Sequence, residues 1–112
     1  MIDLSADQLE IVTQLLEKHV PECEVRAFGS RINGTAKPYS DLDLVIIGAE
    51  KLSDELMSEM KEAFVASDLT CRVDLLDWAR ISDEFKAVIN KEYVTLKKLR
   101  PGLSTPGADQ FS

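Results

Sequence analysis

The chain has 112 residues, of which 45% are hydrophobic and 29% are charged, enough apolar material for one compact core and little for a second. Its 20 acidic and 13 basic residues give a net charge of −7, which disfavours direct binding to a nucleic-acid backbone. The sequence shows neither a signal-peptide pattern at its start nor an uncharged stretch of transmembrane length, so we expect a soluble cytoplasmic protein with no membrane contact.

The first predicted helix covers about residues 6 to 19. Ser5 and Gln8 form a capping-box pattern before it, apolar residues then recur at helical spacing, and Pro21 prevents continuation. A short, mostly apolar run over residues 25 to 28 follows and stops at a glycine. That pattern is typical of a buried strand that enters a turn.

Residues 29 to 40, GSRINGTAKPYS, are predicted to form a functional loop, with room for one helical turn near Ser30. Residues 41 to 47, DLDLVII, alternate acidic and apolar positions and then become wholly apolar. This indicates a strand whose far end is buried on both faces. From Lys51 to about Ser67, an apolar stripe opposite acidic residues predicts a second amphipathic helix.

The rest of the chain predicts one further strand, a helix and an edge strand. Residues 71 to 76 read as a strand in which Asp74 stands between apolar neighbours, and residues 93 to 96 as an edge strand after the last helix. The ending has two prolines, two glycines and no periodicity. We therefore expect one domain over residues 1 to 99 and a mobile C-terminal tail over residues 100 to 112.

Three aspartates point to metal chemistry. Asp41 and Asp43 are two residues apart on a predicted strand, so they project from one face about 7 Å apart, and a hard cation between them would relieve their repulsion. Asp74 on a neighbouring strand could complete a pair of Mg²⁺ positions about 4 Å apart, as used for in-line nucleotidyl displacement. Asp77 is a rival third ligand, and solvated charges at a sheet edge are the alternative interpretation.

The turn at Gly29 and Ser30 predicts the other half of such a site. A glycine at a strand end lets backbone N–H groups approach a ligand without a Cβ in the way. A helical turn that starts at Ser30 would offer further N–H groups to the phosphates, and Arg31 is a plausible phosphate clamp. Lys37 either faces the triphosphate or is merely exposed.

The order Gly-Ser, ten intervening residues and Asp-x-Asp resembles the signature of the nucleotidyltransferase superfamily that includes DNA polymerase β. Gly29-Ser30-Arg31 and Ser40-Asp41-Leu42-Asp43-Leu44 carry the resemblance. By size the chain is similar to the minimal nucleotidyltransferases, called MNT proteins. The resemblance implies an α+β nucleotidyltransferase fold with a small mixed sheet of three to four strands packed on helices.

The same resemblance implies ATP as substrate, two Mg²⁺ ions as cofactor and transfer of a nucleotidyl group, AMP, to a hydroxyl of a partner protein. It assigns Gly29, Ser30 and Arg31 to nucleotide binding. It assigns Asp41 and Asp43 to both metals and Asp74 to the catalytic metal, with Asp74 also placed to accept the proton of the attacking hydroxyl. MNT proteins are often paired with a helical HEPN protein as antitoxin and toxin, which implies a hetero-oligomer with a HEPN-domain protein.

Two alternatives remain beside this interpretation. One is transfer to a small molecule such as an aminoglycoside. The small size of the domain argues against it, because no separate part is left to bind the acceptor. The other is a noncatalytic module that neutralises its partner by contact alone. The presence of all three aspartates argues against it.

Overall fold

The computed structural model describes residues 2–35 and 40–98. These residues form one sheet with the strands Glu24–Phe28 (β1), Leu42–Ile47 (β2), Val73–Asp77 (β3) and Val94–Lys97 (β4). The strand order is β3-β2-β1-β4, with β1 antiparallel to both β2 and β4 and with β2 parallel to β3. The predicted mixed sheet of an α+β fold is therefore confirmed. Lys37 and the predicted tail lie outside the described residues.

Three of the four described helices begin after a serine whose side chain caps them. They are Ala6–His19 (α1), Ser30–Asn33 (α2), Asp54–Ala66 (α3) and Asp83–Lys91 (α4), with a 3-10 turn over Trp78–Arg80. Ser5, Ser53 and Ser82 each accept a hydrogen bond at 3.0–3.2 Å from the backbone N–H three residues later. The bounds of α1 and the single turn at Ser30 agree with the sequence predictions. No described helix is long and apolar enough to cross a membrane.

The main core lies between one face of the sheet and the helices α1 and α3. Alternate residues of a strand point to opposite faces, and those on this side are buried together with the apolar stripes of the two helices. This cluster includes Val12, Leu16, Met60 and Phe64 from the helices and Val25, Ala27, Leu42, Leu44, Ile46 and Leu75 from the strands.

A smaller apolar layer, with contributions from α4, covers the opposite face. The rings of Phe28 and Phe85 meet edge to face at 5.8 Å, and Ile89 is buried at 1% exposure. The guanidinium of Arg26 stacks on Tyr93, 4.4 Å from the ring centroid, so its charge is held over an aromatic face. Helices on both faces fix the sheet between them, which makes the strand ends a firm support for polar side chains.

Two strands begin later than the sequence pattern predicts. Strand β2 starts at Leu42 rather than Asp41, and β3 starts at Val73 rather than Cys71. The backbone N–H of Leu42 donates to the carbonyl of Arg72 at 2.8 Å, so pairing starts here. Asp41 consequently lies in the connection before β2, where its side chain is less constrained than one within the sheet.

Strand β4 ends in a buried lysine that the sequence pattern did not predict. Lys97 is 7% exposed, and its ammonium group donates to the carbonyls of Pro21 and Cys23 at 3.0 and 2.6 Å. A buried charge needs such partners. Lys97 therefore ties β4 to the segment between α1 and β1.

Candidate functional site

The turn between β1 and α2 depends on Gly29. Its φ of 85° and ψ of −156° lie in a region that is almost restricted to glycine. A Cβ on Gly29 would collide with Oδ2 of Asp43 and would lie 3.3 Å from its Cγ. The missing side chain therefore lets this turn lie against the Asp43 carboxylate, beside Ser30, the first residue of α2.

Asp43 and Asp74 are direct neighbours on adjacent strands. The register pairs Asp43 in β2 with Asp74 in the parallel strand β3 and with Phe28 at the end of β1. Paired residues point to the same face of a sheet, and neighbouring strands lie about 4.8 Å apart. The two carboxylates therefore project together at the end of the sheet where β1 enters the Gly29 turn.

Asp41 lies in the connection just before β2, close to the same cluster. Its Oδ2 is 3.5 Å from Nη2 of Arg72, and the two side chains are 40% and 80% exposed, so the ion pair is weak. The charge of Asp41 is felt by Asp43. Sequence reasoning missed Arg72, although its position two residues before Asp74 was a signal that it would lie near the aspartates.

The electrostatics of the cluster disfavour three negative charges. Burial raises the pKa of the Asp43 carboxyl above the ordinary aspartate range, and the negative charges of Asp74 and Asp41 raise it further. Both effects penalise the ionised form. A divalent cation would turn the surrounding repulsion into attraction, so the cluster is suited to bind one.

The donor atoms fit Mg²⁺, although the side chains are not closed around one point. In residues 2–35 and 40–98, no three carboxylate, histidine or cysteine side chains are arranged to hold one metal ion. Carboxylate oxygens are nevertheless the ligands that Mg²⁺ prefers, together with water and substrate phosphates. The partly exposed Asp41 can change rotamer readily, exchanging its weak contact with Arg72 for an ion. The residues available to such an ion are Asp41, Asp43 and Asp74.

Asp77, the rival third ligand, has a structural role in this fold. It is 4% exposed and pairs with Ile46 on the side of the main core. Its carboxylate accepts hydrogen bonds from the backbone N–H groups of Leu52 and Ala79 at 2.9 and 3.0 Å, and Arg80 lies 3.3 Å away. The register thus places Asp74, not Asp77, beside Asp43.

Arg31 is buried and holds the loop that leads to Asp41. It is 8% exposed, and its Nε and Nη2 atoms donate to the carbonyl of Ser40 at 3.1 and 3.0 Å. Its Nη1 atom donates to the carbonyl of Asp3 at 2.9 Å. Sequence reasoning missed these bonds because both acceptors are backbone atoms far away along the chain. Contact of Arg31 with a phosphate stays a prediction.

Comparisons with known proteins identify the family. Residues 9–99 match the family of the nucleotidyltransferase domain. A similar protein is the probable protein adenylyltransferase MntA of Haemophilus influenzae, 46% identical over 107 residues, which covers 96% of this chain and 94% of the relative.

Two solved structures with the same fold are toxin–antitoxin complexes. One is a toxin–antitoxin crystal structure with AMP-PNP, with a TM-score of 0.70 and 24% identity over 83% of this chain and 75% of the other. Another is a tri-AMPylated Shewanella oneidensis HEPN toxin in complex with an MNT antitoxin, with a TM-score of 0.63 and 24% identity over 81% and 70% of the two chains. At these identities the similarity establishes the shared fold.

Gly29→Ala is expected to lower the free energy of unfolding by about 2 kcal/mol or more, because the new Cβ is strained and also meets the Asp43 carboxylate. Gly34→Ala is the matched control, since Gly34 has a similar φ of 87°, but no atom of the described residues beyond its two chain neighbours lies within 4 Å of the added Cβ. It should cost only about 1 kcal/mol. Urea unfolding measures both, and equal losses would contradict the close approach at Gly29.

Asp43→Asn is expected to raise the melting temperature of the metal-free protein at neutral pH, because it removes a partly buried charge repelled by Asp74 and Asp41. In the parent, the pKa of the Asp43 carboxyl is higher in the folded protein than in the unfolded chain. At pH values between these two, the folded state keeps a proton that the unfolded chain has released. The free energy of unfolding therefore falls as the pH rises through the interval between the two pKa values.

This fall should be smaller in Asp43→Asn, as measured by unfolding at a series of pH values in the presence of a chelator. Asp83→Asn, at a fully exposed carboxylate, is the control and should not stabilise the protein. A parent and an Asp43→Asn variant with the same pH dependence would show that Asp43 is not under electrostatic strain.

Arg31→Lys is expected to lower the free energy of unfolding by about 2 kcal/mol. Lysine keeps the charge, but its single ammonium group cannot donate two hydrogen bonds to the carbonyl of Ser40 and a third to the carbonyl of Asp3. Thermal unfolding measures the change without nucleotide. If Arg31 acted as a phosphate clamp alone, the melting temperature would stay at the parental value and only nucleotide affinity would fall.

Proposed function

The chain belongs to the nucleotidyltransferase domain family, and on that basis we propose that it transfers AMP from ATP to a hydroxyl group of a partner protein. The observation that carries this proposal is the pairing of Asp43 with Asp74 on parallel strands, directly beside the Gly29 turn. The H. influenzae relative, which matches 96% of this chain, is named as a probable protein adenylyltransferase, and this supports the same reaction here.

In this proposal Gly29, Ser30 and Arg31 form the nucleotide side of the site. The glycine turn opens the backbone to the triphosphate without a side chain in the way, and the hydroxyl of Ser30 adds a donor. Arg31 holds Ser40 at the far end of the loop, so the triphosphate turn and the Asp41 segment keep a constant separation. Positioning of this kind supplies a large part of the rate in phosphoryl transfer.

In this proposal Asp41, Asp43 and Asp74 would hold the two Mg²⁺ ions. When bound, the ions neutralise charge on the phosphates and on the leaving group. The hydroxyl oxygen of the acceptor attacks the α-phosphorus, the bond from that phosphorus to the bridging oxygen breaks, and pyrophosphate leaves. Asp74 accepts the proton of the hydroxyl, since it is the most exposed of the strand aspartates and lies on the terminal strand β3.

We infer that the acceptor is a HEPN-domain protein and that the two form a toxin–antitoxin pair in the cytoplasm, where ATP and Mg²⁺ are available. The structural neighbours with this fold include an MNT antitoxin in complex with a tri-AMPylated HEPN toxin. In the described residues of this chain, α1 and α3 pack on one face of the sheet and α4 on the other.

Incubation with ATP labelled at the α-phosphate, Mg²⁺ and the HEPN-domain protein is expected to label that protein. Asp43→Asn should reduce labelling by more than about 100-fold, because even residues that only orient metal ligands cost about 10- to 100-fold. Because this variant is expected to be more stable than the parent, lost labelling cannot be ascribed to unfolding. A chelator should stop the reaction, and added Mg²⁺ should restore it.

Asp83→Asn serves as the matched control and should label at the parental rate. Inhibition of the partner without label, by the parent and by Asp43→Asn alike, would establish a noncatalytic binding module instead. Label on a small hydroxylated molecule such as an aminoglycoside, with none on the protein, would establish the other alternative.

A further inference from the structure

The segment of residues 2–4 lies against the one-turn helix α2, on the nucleotide side of the site. The backbone N–H of Asp3 donates to the carbonyl of Arg31 at 2.8 Å. In return, Nη1 of Arg31 donates to the carbonyl of Asp3 at 2.9 Å. The side chains of Ile2 and Leu4 pack against the main core, so segment 2–4 is anchored on both sides of these two hydrogen bonds.

Helix α2 is too short to hold its orientation by itself. It comprises the four residues Ser30–Asn33, and a single helical turn is unfavourable in isolation because it fixes many dihedral angles for few hydrogen bonds. The last carbonyls of a helix have no partner within that helix. In α2 the carbonyl of Arg31 is one of these, and it accepts the N–H of Asp3. The turn is therefore held from outside by segment 2–4.

The orientation of α2 matters because its first N–H groups are those that the proposed site offers to the triphosphate. A turn that is already held in place does not have to be ordered when the ligand arrives, and this saving strengthens binding. The same guanidinium that bonds Asp3 also donates to the carbonyl of Ser40. Segment 2–4 thus supports both the phosphate turn and the chain just before Asp41.

We propose that segment 2–4 positions the nucleotide site: through the backbone of Asp3 it holds α2 in the orientation in which the first N–H groups of α2 meet the phosphates. The inference rests on the function proposed above and adds to it a part of the chain that acts through Arg31 instead of touching the nucleotide. Both hydrogen bonds use main-chain atoms of Asp3, so the carboxylate of Asp3 is not required.

Two substitutions at one residue separate the backbone from the side chain. Asp3→Pro removes the N–H that bonds α2 and is expected to weaken the binding of AMP-PNP with Mg²⁺ by about fivefold or more, because a carbonyl of α2 loses its donor. Asp3→Ala is the matched control, since it retains both backbone groups and should bind AMP-PNP as tightly as the parent does. Calorimetric titration well below the melting temperature of every variant measures the three affinities.

The affinity distinguishes positioning from a purely structural role. A structural role would lower the melting temperature of Asp3→Pro and leave its affinity for AMP-PNP equal to that of Asp3→Ala, which would overturn the proposal. In the transfer reaction, the KM for ATP should rise in Asp3→Pro while the KM for the acceptor protein stays at the parental value. An equal rise of both would show a general loss of structure and would also contradict positioning of the nucleotide.

Hydrogen exchange in the parent protein gives a second test, which remains decisive if Asp3→Pro does not fold. Coupling between two binding events is reciprocal: if the docked segment favours nucleotide binding, bound nucleotide favours the docked segment by the same factor. AMP-PNP with Mg²⁺ should therefore slow exchange of the Asp3 amide by about fivefold, together with the amides of α2. Slower exchange in α2 with an unchanged rate at Asp3 would reject the role of segment 2–4.

These measurements need no acceptor, so they separate this inference from the proposed function. If Asp3→Pro binds AMP-PNP more weakly than Asp3→Ala but the parent labels no partner protein, positioning by segment 2–4 stands and adenylylation is rejected. If the parent transfers label and both variants bind AMP-PNP alike, adenylylation stands and positioning is rejected. Failure of the parent to bind AMP-PNP would reject both.

Discussion

The repulsion among three carboxylates at one end of the sheet is the interaction on which the site depends. Asp43 is partly buried, and the charges of Asp74 and Asp41 oppose its ionisation. The strand register prevents Asp43 and Asp74 from separating, because a shift by one residue would turn both strands' apolar residues out of the core. Hydrophobic burial thus maintains an electrostatic arrangement that is unfavourable until a cation is present.

The loop between Gly29 and Asp41 shows how the two halves of the site are kept together. Gly29 brings the turn against Asp43, and Arg31 ties Ser40 and Asp3 to the same region through its buried guanidinium. Asp77, although it lies in the same strand as Asp74, caps a turn on the other face. The two aspartates of β3 therefore differ in surroundings, because they are three residues apart and thus face opposite sides of the sheet near opposite ends of the strand.

The residues of the candidate site lie on three neighbouring strands and extend to one edge of the described sheet. The Gly29 turn follows the interior strand β1, Asp43 lies in β2, and the exposed Asp74 lies in the edge strand β3. An edge strand is the part of a sheet that is open to another chain.

Most elements and the family could be predicted from local signals: capping serines, helical periodicity and apolar runs mark the helices and strands, and the Gly29-Ser30 and Asp41-x-Asp43 spacing lies within one short segment. The sequence also singled out Asp74, from the contrast with its apolar neighbours. The three-dimensional arrangement was needed to show that Asp74 and not Asp77 pairs with Asp43, that Arg31 is hydrogen-bonded to backbone carbonyls, and that Arg72 lies beside Asp41. Those contacts depend on the strand register and on residues that are distant along the chain, and a local sequence pattern does not reveal either.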